Sequence, residues 1–169
     1  MIDIQYISKI HSEKFGDKGR AFRSPGRINI IGEHTDYNEG LVLPAAIDKE
    51  LVVVLSESEN EDFCLYSIDK NQEVKFNFES YRSIKYLWAK YIIGFIHLLK
   101  DRDEIRAFNC TIIGDVPIGA GMSSSAALEC AILYGLNEIF SLGLEKKEIA
   151  LLSQKIENDY VGLSCGIMD

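Results

Sequence analysis

The stretch that decides the fold is Asp115-Val-Pro-Ile-Gly-Ala-Gly-Met-Ser-Ser-Ser-Ala-Ala127. It follows a predicted strand, Asn109–Ile113, and opens an Ala- and Leu-rich segment, Ser123–Phe140, that predicts a largely buried helix. Glycines let a backbone approach a ligand closely, and the first N–H groups of a helix have no partner within it. With the positive end of the helix dipole, these groups predict an anion site suited to phosphate. The alternative is an ordinary loop followed by serine N-caps.

Outward from this stretch, helices and strands are mixed along the chain. Apolar residues at helical spacing predict a helix from Tyr6 onward and further helices over residues 84–100 and 145–160. Apolar runs predict strands at Ile28–Ile31, Leu51–Leu55, Phe63–Ile68 and Val74–Phe78. We expect Gly143 to end the long helix. This order favours an α+β fold over a doubly wound parallel sheet.

Composition narrows the possible functions. The chain of 169 residues has a formal net charge of −8 and scattered basic residues, which argues against a nucleic-acid surface. Its first residues do not resemble a signal peptide, and its longest apolar stretches, such as Ile92–Leu99, are too short to span a membrane. The four cysteines are far apart and lack metal-site spacing. We therefore expect a cytosolic protein with reduced thiols and no membrane partner.

A second stretch, Arg23-Ser-Pro-Gly-Arg-Ile-Asn-Ile-Ile-Gly-Glu-His-Thr-Asp-Tyr-Asn38, concentrates polar side chains after a short apolar strand. It places Glu33, His34 and Asp36 within four residues, with Arg27 just upstream. Carboxylates accept strongly from hydroxyl groups, so this pattern suits a sugar. A solvated polar turn is the alternative. A zinc site is a weaker one, since no second cluster completes the ligands.

A third stretch, Glu157-Asn-Asp-Tyr-Val-Gly-Leu-Ser-Cys-Gly-Ile-Met-Asp169, closes a helix and runs through two glycines to an aspartate. Taken alone, Glu157 has the position of a solvated helix carboxylate.

Together the three stretches resemble the galactokinases, within the family of small-molecule kinases that includes homoserine, mevalonate and phosphomevalonate kinases. The Pro-x-Gly-x-Gly-x-Ser-Ser-Ser segment is typical of the wider family, whereas Gly-Arg-Ile-Asn-Ile-Ile-Gly-Glu-His-Thr-Asp-Tyr resembles the galactokinase signature. The resemblance extends from about Phe22 to Asp169. It implies the N-terminal domain of that family over residues 1–169, a mixed sheet packed on helices of the ribosomal protein S5 domain 2-like type. The C-terminal half of the same enzyme is then absent from this chain.

The resemblance implies an ATP-dependent kinase for the anomeric hydroxyl of D-galactose, with Mg²⁺ as cofactor. Asp169 would be the catalytic base and Arg27 its catalytic neighbour. Sugar contacts are implied for Glu33, His34, Thr35, Asp36 and Gly166. An Asp beside an Arg is expected to stay ionised.

The nucleotide side follows from the same resemblance. Ser125 and Glu157 would be the Mg²⁺ ligands, since this ion prefers oxygen and keeps few protein ligands. Trp88 would line the adenine pocket, although a core tryptophan is the alternative, and Ser67 is a weaker nucleotide candidate. The phosphate contacts would come from Gly119, Ala120, Gly121, Met122, Ser123, Ser124 and Ser125.

Two residues depart from the family pattern. Met122 stands where Leu is usual, and Ser164 stands where Pro often precedes Cys165. The competing hypotheses are a galactose- and ATP-binding sensor without catalysis and a kinase for a related sugar such as N-acetylgalactosamine. Without a second half, we expect residues 1–169 to show negligible turnover and exposed apolar surface.

Overall fold

The computed structural model describes residues 1–32 and 34–168. In these ranges a mixed five-stranded sheet has the order β1-β2-β5-β3-β4. Its strands are β1 (Arg20–Ile31), β2 (Leu43–Glu57), β3 (Phe63–Ser67), β4 (Gln72–Phe76) and β5 (Phe108–Gly114). The helices are α1 (Ile4–Phe15), α2 (Leu87–Leu99), α3 (Ser124–Phe140) and α4 (Lys146–Lys155), and a π-helical turn, Ile156–Val161, continues α4. β3 runs parallel to β5, and the other neighbouring strands are antiparallel.

Helices cover both faces of the sheet. Successive β2 side chains point to opposite faces, as strand geometry requires. Val53 and Leu55 join the large core under α2, α3 and α4, whereas Val52 and Val54 pack with Ile7 of α1. The central part of β2 is one continuous apolar run because both of its faces are buried.

The β1–β2 hairpin reaches beyond the end of β5. Leu51 of β2 pairs with Gly114, the last residue of β5, and the hairpin continues past that point. The register of the β1–β2 pair shifts between Pro25 and Arg27, where Gly26 of β1 lies opposite residues 47–49 of β2. This protruding part of the hairpin carries the loop that follows β1 and lies beside the loop that follows β5 (residues 115–123). The topology thus brings the two polar stretches together.

The predicted mixed sheet packed on helices is confirmed, and two details of the sequence prediction are wrong. α3 ends at Phe140 because Ser141 adopts a left-handed conformation (φ 53°), so Gly143 lies beyond the helix end. The predicted helix over 145–160 is α-helical only to Lys155 and then widens into the π-helical turn. Such turns are frequent at functional sites. Among the described residues, no helix is both long and apolar enough to cross a membrane.

Candidate active site

Arg27 connects the phosphate-loop candidate to the C-terminal segment. Its Nε donates to the carbonyl oxygen of Met168 (2.9 Å), and its Nη1 donates to that of Gly121 (3.2 Å). Its backbone N–H donates to the carbonyl oxygen of Met122 (3.3 Å). A Cβ on neighbouring Gly26 would lie only 3.1 Å from that same oxygen, so this part of β1 and the loop are in close contact. The guanidinium therefore lies between the two segments.

The loop between β5 and α3 (residues 115–123) leaves the start of α3 open. Gly119 and Gly121 have φ of 74° and 70°, and Ser123 has φ 53°. A serine in this region is uncommon and marks a conformation imposed by its surroundings. No side chain caps the N-terminus of α3 in the described structure, so its first N–H groups are available for an anion.

The same loop is held at its base by Asp115. Its Oδ1 accepts from the backbone N–H of Glu50 (2.7 Å), and its Oδ2 accepts from Lys49 Nζ (3.3 Å). The hydrogen bond from Glu50 is the main cause that lowers the pKa of Asp115. Asp69 accepts from the N–H of Gly114 (2.8 Å) and so fixes the end of β5.

The loop between β1 and β2 contains the polar signature. Thr35 Oγ1 lies 2.6 Å from the carbonyl oxygen of Gly32 and 2.9 Å from that of Leu41, so its single O–H donor holds the two ends of the loop together. Asp36 accepts from the N–H of Met168 through Oδ2 (3.1 Å). Gly166 packs directly on the Asp36 carboxylate, and a Cβ there would overlap it. The structure thus brings Asp36 and Gly166 together.

A cleft of about 540 Å³ opens beside these residues. This volume lies within the range of small-ligand pockets. His34 stands at its rim in a left-handed conformation, and its Nδ1 hydrogen-bonds the Tyr37 hydroxyl. Asn158, from the π-helical turn, accepts from the N–H of Cys165 (2.9 Å) and fixes the opposite wall. The cleft is lined by His34, Asp36, Tyr37, Asn158, Ser164, Cys165 and Met168.

A smaller cavity of about 40 Å³ lies between α3 and the π-helical turn, and its walls include Glu129 and Glu157. Both carboxylates are buried. Burial, and then the charge of Glu157, raise the pKa of Glu129 to about 9; the Ser153 hydroxyl acts in the opposite direction. The Ser153 hydroxyl lies near the carboxylate but outside hydrogen-bond geometry, and neither Glu129 oxygen has a hydrogen-bond partner among the described residues.

Tyr91 locates Ser125 beside these carboxylates. Burial raises the pKa of the Tyr91 hydroxyl, followed by the charges of Glu157 and Glu129, whereas a hydrogen bond with Ser125 lowers it. The donors that meet here are therefore all oxygens, which suits Mg²⁺. No cluster of three or more His, Cys, Asp or Glu side chains able to hold a metal occurs in the described part of the chain.

Trp88 and Ser67 both lie next to Gln72, at one end of the β3–β4 hairpin. Trp88 is half-buried against the main core, and its Nε1 donates to Gln72 Oε1 (2.9 Å). Gln72 pairs in register with Ser67, whose side chain is buried. Trp88 is therefore partly a core residue, while its outer part stays accessible.

Two predicted site residues, Glu33 and Asp169, lie outside the described residues. Sequence reasoning missed Glu129, Tyr37 and Asn158. The signal for Glu129 was its position four residues after Ser125, which places both side chains on one helix face. Nothing in the sequence distinguishes Asn158 from a surface residue.

Family models match two parts of the chain. Residues 9–57 match a model described as the galactokinase galactose-binding signature, and residues 90–169 match the GHMP kinases N terminal domain. A galactokinase from Thermosipho africanus is 45% identical over 148 residues, which is 87% of this chain and 41% of that protein. The chain belongs to the GHMP kinase family. The predicted galactokinase resemblance is thereby confirmed, and what matches is the N-terminal part of the family.

Solved GHMP kinase structures share the fold. The Lactococcus lactis galactokinase, solved in complex with galactose, superposes with a TM-score of 0.89 at 35% identity, over 98% of this chain and 45% of that one. The Methanococcus jannaschii mevalonate kinase, at 20% identity, gives a TM-score of 0.74 over 89% of this chain and 49% of that one. The chain thus spans less than half the length of these relatives.

Proposed function

We propose that this chain is the N-terminal half of an ATP-dependent galactokinase of galactose metabolism. The reaction transfers the γ-phosphate of ATP to the anomeric hydroxyl of D-galactose and yields galactose 1-phosphate and ADP. The observation that carries the proposal is the double contact of Arg27, which ties the open start of α3 to the segment that ends at Asp169. The 45% identity to a galactokinase supports galactose as the sugar.

The residues divide the work between two subsites. The cleft beside Asp36 and His34 receives the sugar, with Glu33 completing its hydroxyl contacts. The phosphates lie over the uncapped N-terminus of α3, where N–H groups and the helix dipole stabilise negative charge. Trp88 and Ser67 serve the nucleotide side, in keeping with their position at the β3–β4 hairpin.

Transfer itself needs positioning and charge neutralisation more than covalent chemistry. The sugar oxygen forms a bond to the γ-phosphorus as the bond from that phosphorus to the β–γ bridging oxygen breaks. Asp169 accepts the hydroxyl proton, and the Arg27 guanidinium stabilises the charge on the transferring phosphoryl group. Ser125 and Glu157 would hold Mg²⁺ together with the phosphates, and the bound ion would supply neutralisation of phosphate charge.

The second half of the enzyme closes the site in this proposal. Several large apolar side chains are exposed around the two loops, among them Leu41 (93%), Ile118 (79%) and Ile31 (68%). Contiguous exposed apolar surface marks an interaction site. Residues 1–169 alone therefore lack part of the pocket and have negligible turnover.

The test is ADP release by the full-length protein with galactose, glucose, N-acetylgalactosamine, mevalonate or homoserine. We expect turnover with galactose, its loss in Asp169→Ala, and none from residues 1–169 alone. Binding of galactose and ATP without ADP release would contradict the kinase proposal and favour a sensor without catalysis. Turnover with only one of the other compounds would keep the kinase mechanism and assign a different substrate. Turnover by residues 1–169 alone would contradict the proposed role of the second half.

A further inference from the structure

Glu129 has a surrounding that a carboxylate does not normally tolerate. Only 2% of the residue is exposed, and neither carboxylate oxygen has a partner at hydrogen-bond geometry among the described residues. An unsatisfied buried polar group costs about 1–3 kcal/mol, and a charged one costs more. Buried unpartnered groups of this kind point to something that binds them.

The position of Glu129 on α3 aims it at the site. Ser125 lies four residues earlier, so the two side chains share one helix face. Helical side chains lean toward the N-terminus of their helix, which directs the Glu129 carboxylate toward the turn that carries Ser125. The small cavity beside it is walled on the other side by Glu157.

The two carboxyl groups can both be ionised in this cavity only when a cation lies between them. Each is buried, and each faces the same cavity of about 40 Å³. Taking like charges out of water costs free energy that only a compensating charge offsets. No Lys, Arg or His is among the residues that line this cavity in the described structure. A divalent cation is the charge that this oxygen donor set fits.

We propose that Glu129 is a second carboxylate of the cation site and binds the ion jointly with Glu157 and Ser125, directly or through one of its waters. The proposal rests on the proposed kinase function, because the nucleotide phosphates supply the remaining ligands. This ligand set has one more negative charge than the pair Ser125 and Glu157 alone. A site with two carboxylates holds the cation more tightly than a site with Glu157 alone.

The test is the affinity of the full-length protein for Mn²⁺, measured from the EPR signal of free Mn²⁺ with a non-hydrolysable ATP analogue present. We expect Glu129→Gln and Glu157→Gln each to weaken binding about tenfold or more. Glu138→Gln is the matched control, since Glu138 lies on the same helix with an exposed side chain paired to Arg20 at 3.5 Å. We expect its affinity to equal that of the unaltered protein.

Denaturant unfolding without metal distinguishes two roles for Glu129, a ligand of the cation and a residue that stabilises the fold. We expect Glu129→Gln to be at least as stable as the unaltered protein, because an unsatisfied carboxylate is removed. Failure of this variant to fold would contradict the proposal. Glu129→Asp, which keeps the charge but shortens the side chain, should also bind Mn²⁺ more weakly.

The outcomes distinguish the two proposals. If Glu157→Gln weakens Mn²⁺ binding and both Glu129 variants bind like the unaltered protein, the inference about Glu129 is wrong and the kinase proposal stands. If the unaltered protein shows no Mn²⁺ binding that depends on the nucleotide analogue, the metal part of the proposed function is itself wrong.

Discussion

At the scale of single residues, Arg27 connects the parts of the candidate site. Nε and Nη1 of one planar guanidinium donate to Met168 and Gly121 at the same time. The fixed fork of arginine allows this, whereas a lysine ammonium has a single centre on a flexible stem. The residue therefore sets the distance between the phosphate loop and the segment that leads to Asp169.

We predict that Arg27→Lys lowers kcat of the full-length enzyme by roughly tenfold to 100-fold, although its charge is kept, because the two segments lose their common support. Steady-state ADP release measures the effect. The matched control is Arg23→Lys on the same strand, where Arg23 pairs only with Glu50 (3.5 Å) among the ion pairs of the described structure. An Arg27→Lys enzyme with unchanged kcat would show that the bridging contacts are incidental.

Individual residues differ in how far the sequence predicts them. The signature residues around Asp36 are recognised because their order and spacing are specific. The close packing of Gly166 on Asp36 is not recognisable, since the two lie 130 positions apart in a chain of 169 residues. Glu129 lies in a helix predicted to be largely buried, but its own burial is not recognisable, because a glutamate on such a helix usually occupies the solvated face.

At the scale of elements, α1 is fixed to the sheet by a buried histidine. His11 Nδ1 is 2.9 Å from Thr111 Oγ1, and its Nε2 is 3.0 Å from Ser56 Oγ. A neutral imidazole has one donor and one acceptor, which two hydroxyls can satisfy. Burial lowers the pKa of His11 from 6.5 to about 4, against the charge of Asp17.

We predict that stability falls as the pH is lowered from about 6.5 to about 4, because the unfolded chain takes up a proton that the folded one excludes. Above pH 6.5 the His11 contribution is fully present. Denaturant midpoints across this range measure it. His11→Gln should reduce the change of the denaturant midpoint with pH, whereas His34→Gln, at an exposed position, should leave that change as it is in the unaltered protein. Equal pH dependence in all three proteins would contradict the assignment.

Element types were predictable, but several boundaries were not. The strands predicted at Ile28–Ile31 and Leu51–Leu55 are the apolar parts of β1 and β2, which are 12 and 15 residues long. The remainder of β1, from Arg20, pairs with Leu51–Leu55, and the remainder of β2, from Leu43, pairs with the end of β1 beyond β5. Long-range pairing therefore extends both strands, and local apolarity does not reveal their ends. The π-helical turn at Glu157 likewise has no signature in the helical spacing.

At the scale of the whole molecule, the proposed function gives this chain one half of a site. The phosphate loop, the signature loop and the segment before Asp169 converge at one end of the sheet, next to exposed apolar residues such as Leu41 and Ile118. The family and its fold were predictable because three ordered motifs resemble one family. The sugar specificity is less predictable, because the residues that complete the pocket belong to the proposed second half.

The most direct test of the central claim is the identity of the product. Phosphorus NMR of the full-length protein with ATP and galactose should show a phosphate ester coupled to the anomeric proton, in an amount equal to the ADP formed. A phosphate on any other hydroxyl, or inorganic phosphate with unchanged galactose, would contradict the assignment of this chain to a sugar 1-kinase.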